Sequence, residues 1–192
     1  MARPLRFGVI GTGVGASFIA QAASTMADEG LVRLVAVADI DEERVKQFAA
    51  KWRLPAWYTD HRRMLEEADI DAVTIHTPHY LHHPMALDSA RAKKHTLVDK
   101  PMAVSLREAD EMMRVAGENG VKLGVIFQSR FDPAAQRIKE AADGGRLGRL
   151  ILGEAVVEWF RDRDYYEKSP WRGRWATEGG GALINQAIHT ID

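Results

Sequence analysis

Three stretches of this sequence carry residues whose types and spacing could do chemistry together. The first is the glycine-rich "GTGVGA" at 11–16, the second is Lys100 before a proline, and the third holds Asn185 and His189. Glycine turns that open a helix present backbone N–H groups to phosphates. A lysine ammonium can stabilise a developing alkoxide, and a histidine with a pKa of about 6.5 can take up a proton. The combination predicts proton removal from a hydroxyl beside a bound nucleotide.

The glycine-rich stretch must follow a strand and begin a helix if it is to bind a dinucleotide. It does so in "LRFGVIGTGVGASF", where Gly11 allows a tight turn, Gly13 lets a diphosphate approach, and Ala16 allows close helix packing. The second apolar segment ends in Asp39, whose carboxylate could bind ribose hydroxyls and would repel a 2′-phosphate. We therefore favour NAD over NADP, although Arg44 could weaken that preference. A purely structural strand-to-helix turn is the alternative.

Apolar runs and amphipathic segments alternate along the first two thirds of the chain. Strands are predicted at 5–10, 31–39, 71–77, 95–100 and 121–128, and helices at 14–27, 41–52, 83–94 and from the capping residue Ser105 to Gly120. This alternation predicts a parallel sheet covered by helices on both faces. The expected fold is α/β, with a doubly wound Rossmann domain over residues 1–128. Lys100 would then lie at the carboxyl end of a strand, where such sheets bind ligands.

A different pattern begins after residue 128. The segment 132–145 predicts a helix, and "LILGEAVVEWFRDRD" (150–164) predicts a long strand of an open, mostly antiparallel sheet. A terminal helix would put Asn185, His189 and Asp192 on one face. Residues 129–192 would therefore begin a second domain. A single strand has no neighbour to pair with its backbone N–H and C=O groups. We therefore expect this chain to be part of a longer protein or to need a partner.

The composition argues against several classes of partner. Of the 192 residues, 46% are hydrophobic and 28% are charged, with a net charge of −1, so nothing favours nucleic acid or an anionic membrane. The sequence has no cysteine, no signal-peptide pattern and no apolar run of membrane-spanning length, and a cytoplasmic location is expected. Four histidines in "HTPHYLHHP" (76–84) suggest a metal. No carboxylate or cysteine completes a ligand set there, so no metal is expected.

The motifs of essentially the whole chain resemble the glucose-fructose oxidoreductase, inositol dehydrogenase and MocA family. These motifs are "GVIGTGVGA", "VADID", "HTPHYLH", "HTLVDKPMA", "RFDP", "WRGRW" and "GGGALINQAIHTID". The resemblance implies a Rossmann domain and a homo-oligomer. It implies that residues 129–192 are the first part of an α/β domain for substrate binding and dimerisation, built on a large open sheet. It also implies NAD(P)-dependent oxidation or reduction of a carbinol carbon on a sugar, sugar derivative or inositol-type polyol. Lys100 would lie near the nicotinamide and the substrate hydroxyl, and His189 would be the acid/base group.

The same resemblance assigns the other site residues. Asn185 stands where the family most often has Asp, so it can hydrogen-bond His189 or the substrate but cannot act as a base. The implied catalytic set is Lys100, His189 and Asn185. The implied cofactor contacts are Gly11, Thr12, Gly13, Val14, Gly15, Ala16, Asp39, Thr77, Pro78, His82, Asp99, Lys100, Gln128, Trp171 and Arg172. For the last two, a packing Trp beside a surface Arg is an equal alternative.

Two other functions stay open from the sequence. A hydrolase of the same family would use transient NAD oxidation to eliminate a glycosidic substituent, and it would release no net NADH. A non-catalytic sensor would bind the nucleotide only to report a ligand. The presence of Lys100 together with His189 argues against the sensor.

Overall fold

A computed structural model describes residues 3–192 of the chain, which contain one six-stranded sheet. Its strands are β1 (Leu5–Ile10), β2 (Val32–Ala38), β3 (Ala56–Tyr58), β4 (Ala72–Ile75), β5 (His95–Asp99) and β6 (Leu123–Ile126). All neighbouring strands are parallel, in the order β3-β2-β1-β4-β5-β6. The winding reverses between β1 and β4, which is where doubly wound sheets bind ligands. The predicted Rossmann fold is confirmed.

Helices follow the first five strands, and their ends obey local sequence signals. They are α1 (Val14–Asp28), α2 (Glu42–Trp52), α3 (His61–Glu67), α4 (His79–Arg91) and α5 (Leu106–Asn119). The Asp41 side chain accepts a hydrogen bond from the Arg44 N–H at the start of α2. The Ser105 hydroxyl accepts one from the Glu108 N–H at the start of α5. These caps satisfy N–H groups that the helix itself leaves unpaired.

The core lies on both faces of the sheet because alternate residues of a buried strand point to opposite sides. Val9 and Val37 pack with α1 and α2 on one face. The neighbouring Ile10 points to the other face, where Val73 and Val98 pack with α3, α4 and α5. Burial on both sides holds the carboxyl ends of β1, β4 and β5 as one edge, and the candidate site lies along that edge.

The chain beyond β6 differs from the sequence prediction. It has a 3₁₀ turn (Gln128–Phe131) and the helices α6 (Pro133–Asp143), α7 (Arg163–Glu167), α8 (Trp175–Glu178), α9 (Gly181–Asn185) and α10 (Ile188–Ile191). The predicted long strand at 150–164 is wrong, because residues 151–162 form no strand. Within residues 3–192 there is no second sheet whose strands could form backbone hydrogen bonds with this segment. Most of its apolar side chains are exposed, with Ile151 at 86%.

Several element boundaries were also mispredicted. The sequence patterns miss β3 and α3, which are too short to establish a period. Helix α4 begins at His79, directly after Pro78, so Pro84 lies inside the helix rather than in its first turn. The predicted terminal helix is divided into α9 and α10, because the Ala187 N–H bonds to the Ala182 carbonyl, five residues back, at 2.8 Å. Among the helices described, none is both long and apolar enough to cross a membrane.

Candidate active site

The turn between β1 and α1 leaves space for a ligand at one of its glycines and not at the other. Gly11 has a φ of +88°, and a Cβ there would lie 2.7 Å from the His76 carbonyl oxygen. The protein itself therefore requires glycine at this position. Gly13 has a φ of −69°, and a Cβ there would come no closer than 3.6 Å to the rest of the described chain. The fold thus leaves free space at Gly13, into which a ligand would fit.

The surroundings of this turn fit a dinucleotide. Gly13 begins α1 without a side-chain cap, so the first-turn N–H groups can receive phosphate oxygens. The Thr77 hydroxyl is buried beside Gly11 and has no hydrogen-bond partner within residues 3–192. Val14 is exposed at the start of the helix, and Pro78 is half-buried before α4. A free helix start and an unpaired buried hydroxyl are what the implied NAD would use.

Asp39, just after the end of β2, is hydrogen-bonded to the same turn. Its Oδ2 accepts the backbone N–H of Thr12 at 2.8 Å and the Thr12 hydroxyl at 2.6 Å. Its Oδ1 accepts the N–H of Asp41 at 3.1 Å. A carboxylate has about four lone-pair positions, so the half-buried Asp39 can still accept a hydrogen bond from a ribose hydroxyl. Asp39 therefore orients the turn and keeps acceptor capacity for a ribose hydroxyl.

The first turn of α1 presses against the end of β5. A Cβ at Gly15 would lie 2.6 Å from Asp99 Oδ2 and 2.9 Å from His76 Nδ1. His76 Nδ1 is 3.2 Å from Asp99 Oδ2, and its Nε2 is 2.7 Å from the Thr74 hydroxyl. Burial is the largest single effect and would raise the pKa of Asp99, but the hydrogen bond and charge of His76, the charge of His82 and the Lys100 N–H together outweigh it, so the pKa is lowered. Ala16, one residue on, is fully buried in the core.

Lys100 lies directly after β5, and its ammonium points at Asn185. Lys100 Nζ donates to Asn185 Oδ1 at 2.9 Å and also to the Asn185 backbone carbonyl. Burial lowers the pKa of Lys100, and the positive charge of Arg172 lowers it further, while Asp99 and Glu178 oppose these effects. The structure therefore brings Lys100 and Asn185 together, as the sequence implied for the catalytic set.

Two residues of this network were missed by the sequence analysis. Glu178 is 3% exposed, and its Oε1 accepts from Asn185 Nδ2 at 2.6 Å. Tyr165 Oη accepts from the same Nδ2 at 3.0 Å and from a guanidinium nitrogen of Arg172. Neither residue has a spacing that marks it, since both lie in an irregular aromatic and charged stretch. Only the folded chain shows that a carboxylate is buried behind Asn185.

His189, on α10, faces the same region. Burial lowers the pKa of His189, and the Lys100 charge lowers it further, against smaller raising effects of Asp99 and Asp192. Its Nδ1 is buried and has no hydrogen-bond partner in the described chain, and its ring packs edge-on to Phe127 at 6.3 Å. Asp192 does not join His189, because it pairs with Arg130. His189 is therefore a neutral ring near a cation, which suits a proton acceptor.

The remaining predicted contacts divide between the network and the solvent. The Arg172 guanidinium lies over the Tyr165 ring at 4.3 Å and over the Trp171 ring at 4.4 Å. Trp171 also packs against His79, with ring centroids 4.6 Å apart. Gln128 is exposed, and no hydrogen bond is formed by its side chain in residues 3–192. The structure thus joins Arg172 to the Lys100 network and leaves Gln128 outside it.

The histidines of 76–84 do not converge on one point. His82 is 1% exposed, and its ring nitrogens lie 2.7 Å from the Pro101 carbonyl and 2.9 Å from the Thr77 carbonyl. His82 therefore ties the loop after β4 to the loop after β5, and any effect on a cofactor would come through those loops. His79 Nδ1 donates to the Glu178 carbonyl at 2.9 Å, and His83 pairs with Glu111. Nowhere in residues 3–192 do three His, Cys, Asp or Glu side chains group as metal ligands would.

The free space at Gly13 leads to a direct prediction. Gly13→Ala should raise the Kd for NAD at least about tenfold, because the new methyl group occupies the diphosphate approach. The fold should persist, at a cost of no more than about 1 kcal/mol for a poorer helix cap. Titration calorimetry and thermal unfolding measure the two effects separately. Gly117→Ala in α5, where a Cβ meets nothing within 4 Å, is the matched control; equal Kd values for both variants would contradict the prediction.

The buried His79 predicts an acid-sensitive fold. Burial lowers the pKa of His79 to about 4, so between pH 6.5 and pH 4 the unfolded chain binds more protons than the folded one. The stabilisation is complete above the unfolded pKa of about 6.5 and is lost as the pH falls, by about 2 kcal/mol from pH 7.5 to pH 5. Urea unfolding at the two pH values measures this loss. Between the two pH values, His79→Asn should lose less stability than the parent, and His83→Asn should lose as much as the parent. Equal losses in the parent and both variants would refute the assignment.

The fold and the site together define a Rossmann dinucleotide-binding protein, with a glycine turn at the winding reversal and a lysine at the end of β5. The chain belongs to the glucose-fructose oxidoreductase, inositol dehydrogenase and MocA family. Residues 5–127 match the family model described as "Oxidoreductase family, NAD-binding Rossmann fold". Residues 135–192 match the one described as "GFO/IDH/MocA C-terminal domain". The resemblance seen in the sequence is confirmed, and the first part of the chain is an NAD-binding domain.

Several proteins similar to this chain are dehydrogenases. A 1-carboxy-3-chloro-3,4-dihydroxycyclohexa-1,5-diene dehydrogenase of Comamonas testosteroni is 34% identical over 98% of this chain and 46% of its own length. Myo-inositol 2-dehydrogenase of Thermotoga maritima is 30% identical over 98% of this chain and 53% of its own length. The crystal structure of the WlbA dehydrogenase from Bordetella pertussis, in complex with NADH and UDP-GlcNAcA, has a TM-score of 0.94 and 31% identity over 100% of this chain and 56% of that one. The chain spans about half the length of the curated relatives it matches.

Proposed function

We propose that this chain supplies the cofactor-binding domain and the catalytic residues of an NAD-dependent oxidoreductase that acts on a carbinol carbon of a sugar, sugar derivative or inositol-type polyol. The observation that carries the proposal is the position of Lys100. Its ammonium is held by Asn185, it lowers the pKa of His189, and its neighbour Asp99 touches the first turn of α1. A cation, a neutral base and a phosphate-binding turn therefore lie within one site.

Each residue has a role that its chemistry supports. When bound, the nicotinamide supplies the hydride acceptor or donor. The Lys100 ammonium holds the substrate hydroxyl oxygen and stabilises the negative charge that develops on it. His189 accepts the hydroxyl proton, which its lowered pKa permits at neutral pH. Asn185 cannot take a proton, so it orients Lys100 through the hydrogen bond at its Oδ1.

The charges near Lys100 favour an anionic substrate. The Arg161 and Arg172 guanidiniums lie over the Tyr165 ring at 5.1 and 4.3 Å, and both lower the pKa of Lys100. In the described chain Arg172 has Glu178 at 3.7 Å, whereas Arg161 pairs with no carboxylate. Arginine binds carboxylates and phosphates through paired N–H groups. The Comamonas relative's name includes a carboxy group and the Bordetella structure holds UDP-GlcNAcA, which favours the same class of substrate.

The organisation of the whole protein follows the same proposal. Residues 1–128 are the nucleotide-binding domain, and residues 129–192 are the first part of the domain that binds substrate and joins subunits. The exposed apolar side chains of 150–160 support this, because a large apolar patch normally has a partner. A homo-oligomer covers that surface in the working protein. The cytoplasm is the proposed location, because it supplies the nicotinamide dinucleotide the protein would use.

The decisive experiment is a substrate screen with the protein that carries this chain. Polyols, aldoses, uronic acids and sugar nucleotides are incubated with NAD or NADP, and the absorbance of the reduced nicotinamide is followed. Reduction of NAD, faster with acidic sugars than with neutral ones, is expected. Cleavage of a glycoside with bound NAD and no net NADH would instead identify the hydrolase. Tight NAD binding without any turnover would identify the sensor.

A further inference from the structure

The carboxylate of Glu178 is buried directly behind the amide of Asn185. Glu178 Oε1 lies 2.6 Å from Asn185 Nδ2, and Glu178 Oε2 accepts the N–H of Gly173 at 2.6 Å. Arg172 is the nearest cation, at 3.7 Å from Oε1. A buried charge is costly unless it is paired and hydrogen-bonded. Its retention at 3% exposure therefore calls for a function in the site.

The two sides of the Asn185 amide differ in what they can bind. Lysine ammonium only donates hydrogen bonds and a carboxylate only accepts them. Lys100 therefore fixes Oδ1 on its own side, and Glu178 fixes Nδ2 on the other. The three groups form a line from carboxylate through amide to ammonium. Turning the amide over would set donor against donor and acceptor against acceptor.

The arrangement of Glu178, Asn185 and Lys100 requires an amide, and not a carboxylate, at residue 185. An aspartate at 185 would set a carboxylate oxygen about 2.6 Å from the Glu178 carboxylate, judged from the present Nδ2 position. Two carboxylates so close cannot both stay ionised. The site therefore holds one negative charge, at 178, and a neutral relay at 185.

We propose that Glu178 is a positioning residue for Lys100: it locks the Asn185 amide with its oxygen toward the ammonium and places a negative charge behind that amide, in addition to the charge of Asp99. This inference rests on the proposed function for its kinetic test. The charged and titratable groups that face Lys100 are Asp99 on β5, Glu178 on α8, His79 on α4, His189 on α10, and Arg161 and Arg172 in the adjoining loops. Of the two carboxylates, Glu178 alone is joined to Lys100 through Asn185.

A charge-exchange series tests the proposal. Glu178→Gln should lower kcat about tenfold and move the alkaline limb of the kcat–pH profile to lower pH, because Lys100 loses its proton more easily. Asn185→Asp should lose at least as much activity, since two carboxylates then compete for one position. The double variant E178Q/N185D restores one carboxylate and one amide in exchanged positions. Its kcat should exceed that of both single variants, and the alkaline limb of its kcat–pH profile should return to the pH of the parent.

A second measurement is independent of turnover. Reductive ¹³C-methylation of the lysines, followed by NMR titration, reports the protonation of Lys100 without cofactor, with Lys100→Met identifying its signal. The titration midpoint should be lower in E178Q than in the parent and restored in E178Q/N185D. An unmoved midpoint and additive kinetic losses would overturn the proposal. A parent protein with no turnover but with the expected midpoints would overturn the proposed function and not the role of Glu178.

Controls separate positioning from folding. Glu118→Gln, an exposed residue of α5 paired with Arg114, removes one carboxylate elsewhere and should change neither readout. Where E178Q fails to fold, Glu178→Asp provides the test, because it keeps the charge but shortens the reach to Nδ2. Its kcat should fall while its alkaline limb stays near that of the parent. A shifted limb in Glu178→Asp with unchanged kcat would contradict the assignment.

Discussion

Replacing Lys100 by methionine is expected to lower kcat/KM by about 10³-fold, because the ammonium is the cation best placed to stabilise a developing alkoxide. Methionine keeps most of the apolar stem, so the packing after β5 should persist. Binding of NAD should change by much less than turnover. Steady-state kinetics and cofactor titration on the same preparation measure the two effects.

The control for this variant lies at the other end of the same strand. Lys94 precedes β5 and Lys100 follows it, and Lys94 Nζ donates to the Ile70 carbonyl at 2.9 Å. Lys94→Met should therefore cost some stability and leave kcat/KM within about twofold of the parent. If Lys100→Met retained full turnover, the catalytic assignment would fail.

Replacing His189 by asparagine is expected to lower the rate of alcohol oxidation by about 10²- to 10⁴-fold, the usual loss for a general base. Asparagine can still hydrogen-bond at this position, so the loss reports proton transfer and not only contact. His95→Asn, at the amino end of β5, is the matched control and should leave turnover unchanged. A His189→Asn variant with parental kcat would show that another group takes the proton.

The pH dependence provides a second check on His189. Its pKa is lowered, chiefly by burial and then by the Lys100 charge, so the base form prevails above an apparent pKa lower than about 6.5. Oxidation should fall as the pH drops through that value. In Lys100→Met the acid limb of the residual activity should move to higher pH, because the Lys100 charge no longer lowers the pKa of His189. An acid limb unmoved by that substitution would show that the two groups do not interact.

The sequence predicted those parts of the fold that local patterns determine. Five of the six strands and the caps of α2 and α5 follow from apolar runs and from Asp41 and Ser105. The glycine turn was predictable because a motif can encode both the crowding that excludes a Cβ at Gly11 and Gly15 and the free space at Gly13. The strand at 150–164 was mispredicted because a β-pattern specifies a strand only when a neighbouring strand completes its hydrogen bonds.

The candidate site was predictable to a lesser degree. Lys100, Asn185 and His189 were identified because they fall in motifs that the family shares. Glu178 and Tyr165 were missed because their importance depends on long-range contacts, between residues far apart in the sequence and adjacent in space. No period or spacing reports that a carboxylate is buried. Such residues are found only when the hydrogen-bond partners of a buried amide are traced one by one.

The hydrogen bonds between Asp39 and Thr12 have a consequence for anyone who wishes to re-engineer the coenzyme preference. The usual strategy exchanges the acidic residue for a small or basic one, so that an extra phosphate is admitted. Here that exchange would also remove the acceptor of two hydrogen bonds, which the backbone N–H and the hydroxyl of Thr12 donate to Asp39. The glycine turn between β1 and α1 would be less well ordered as a result. A switch to the phosphorylated coenzyme would therefore require a compensating substitution at 12, and single-site libraries at 39 would miss it.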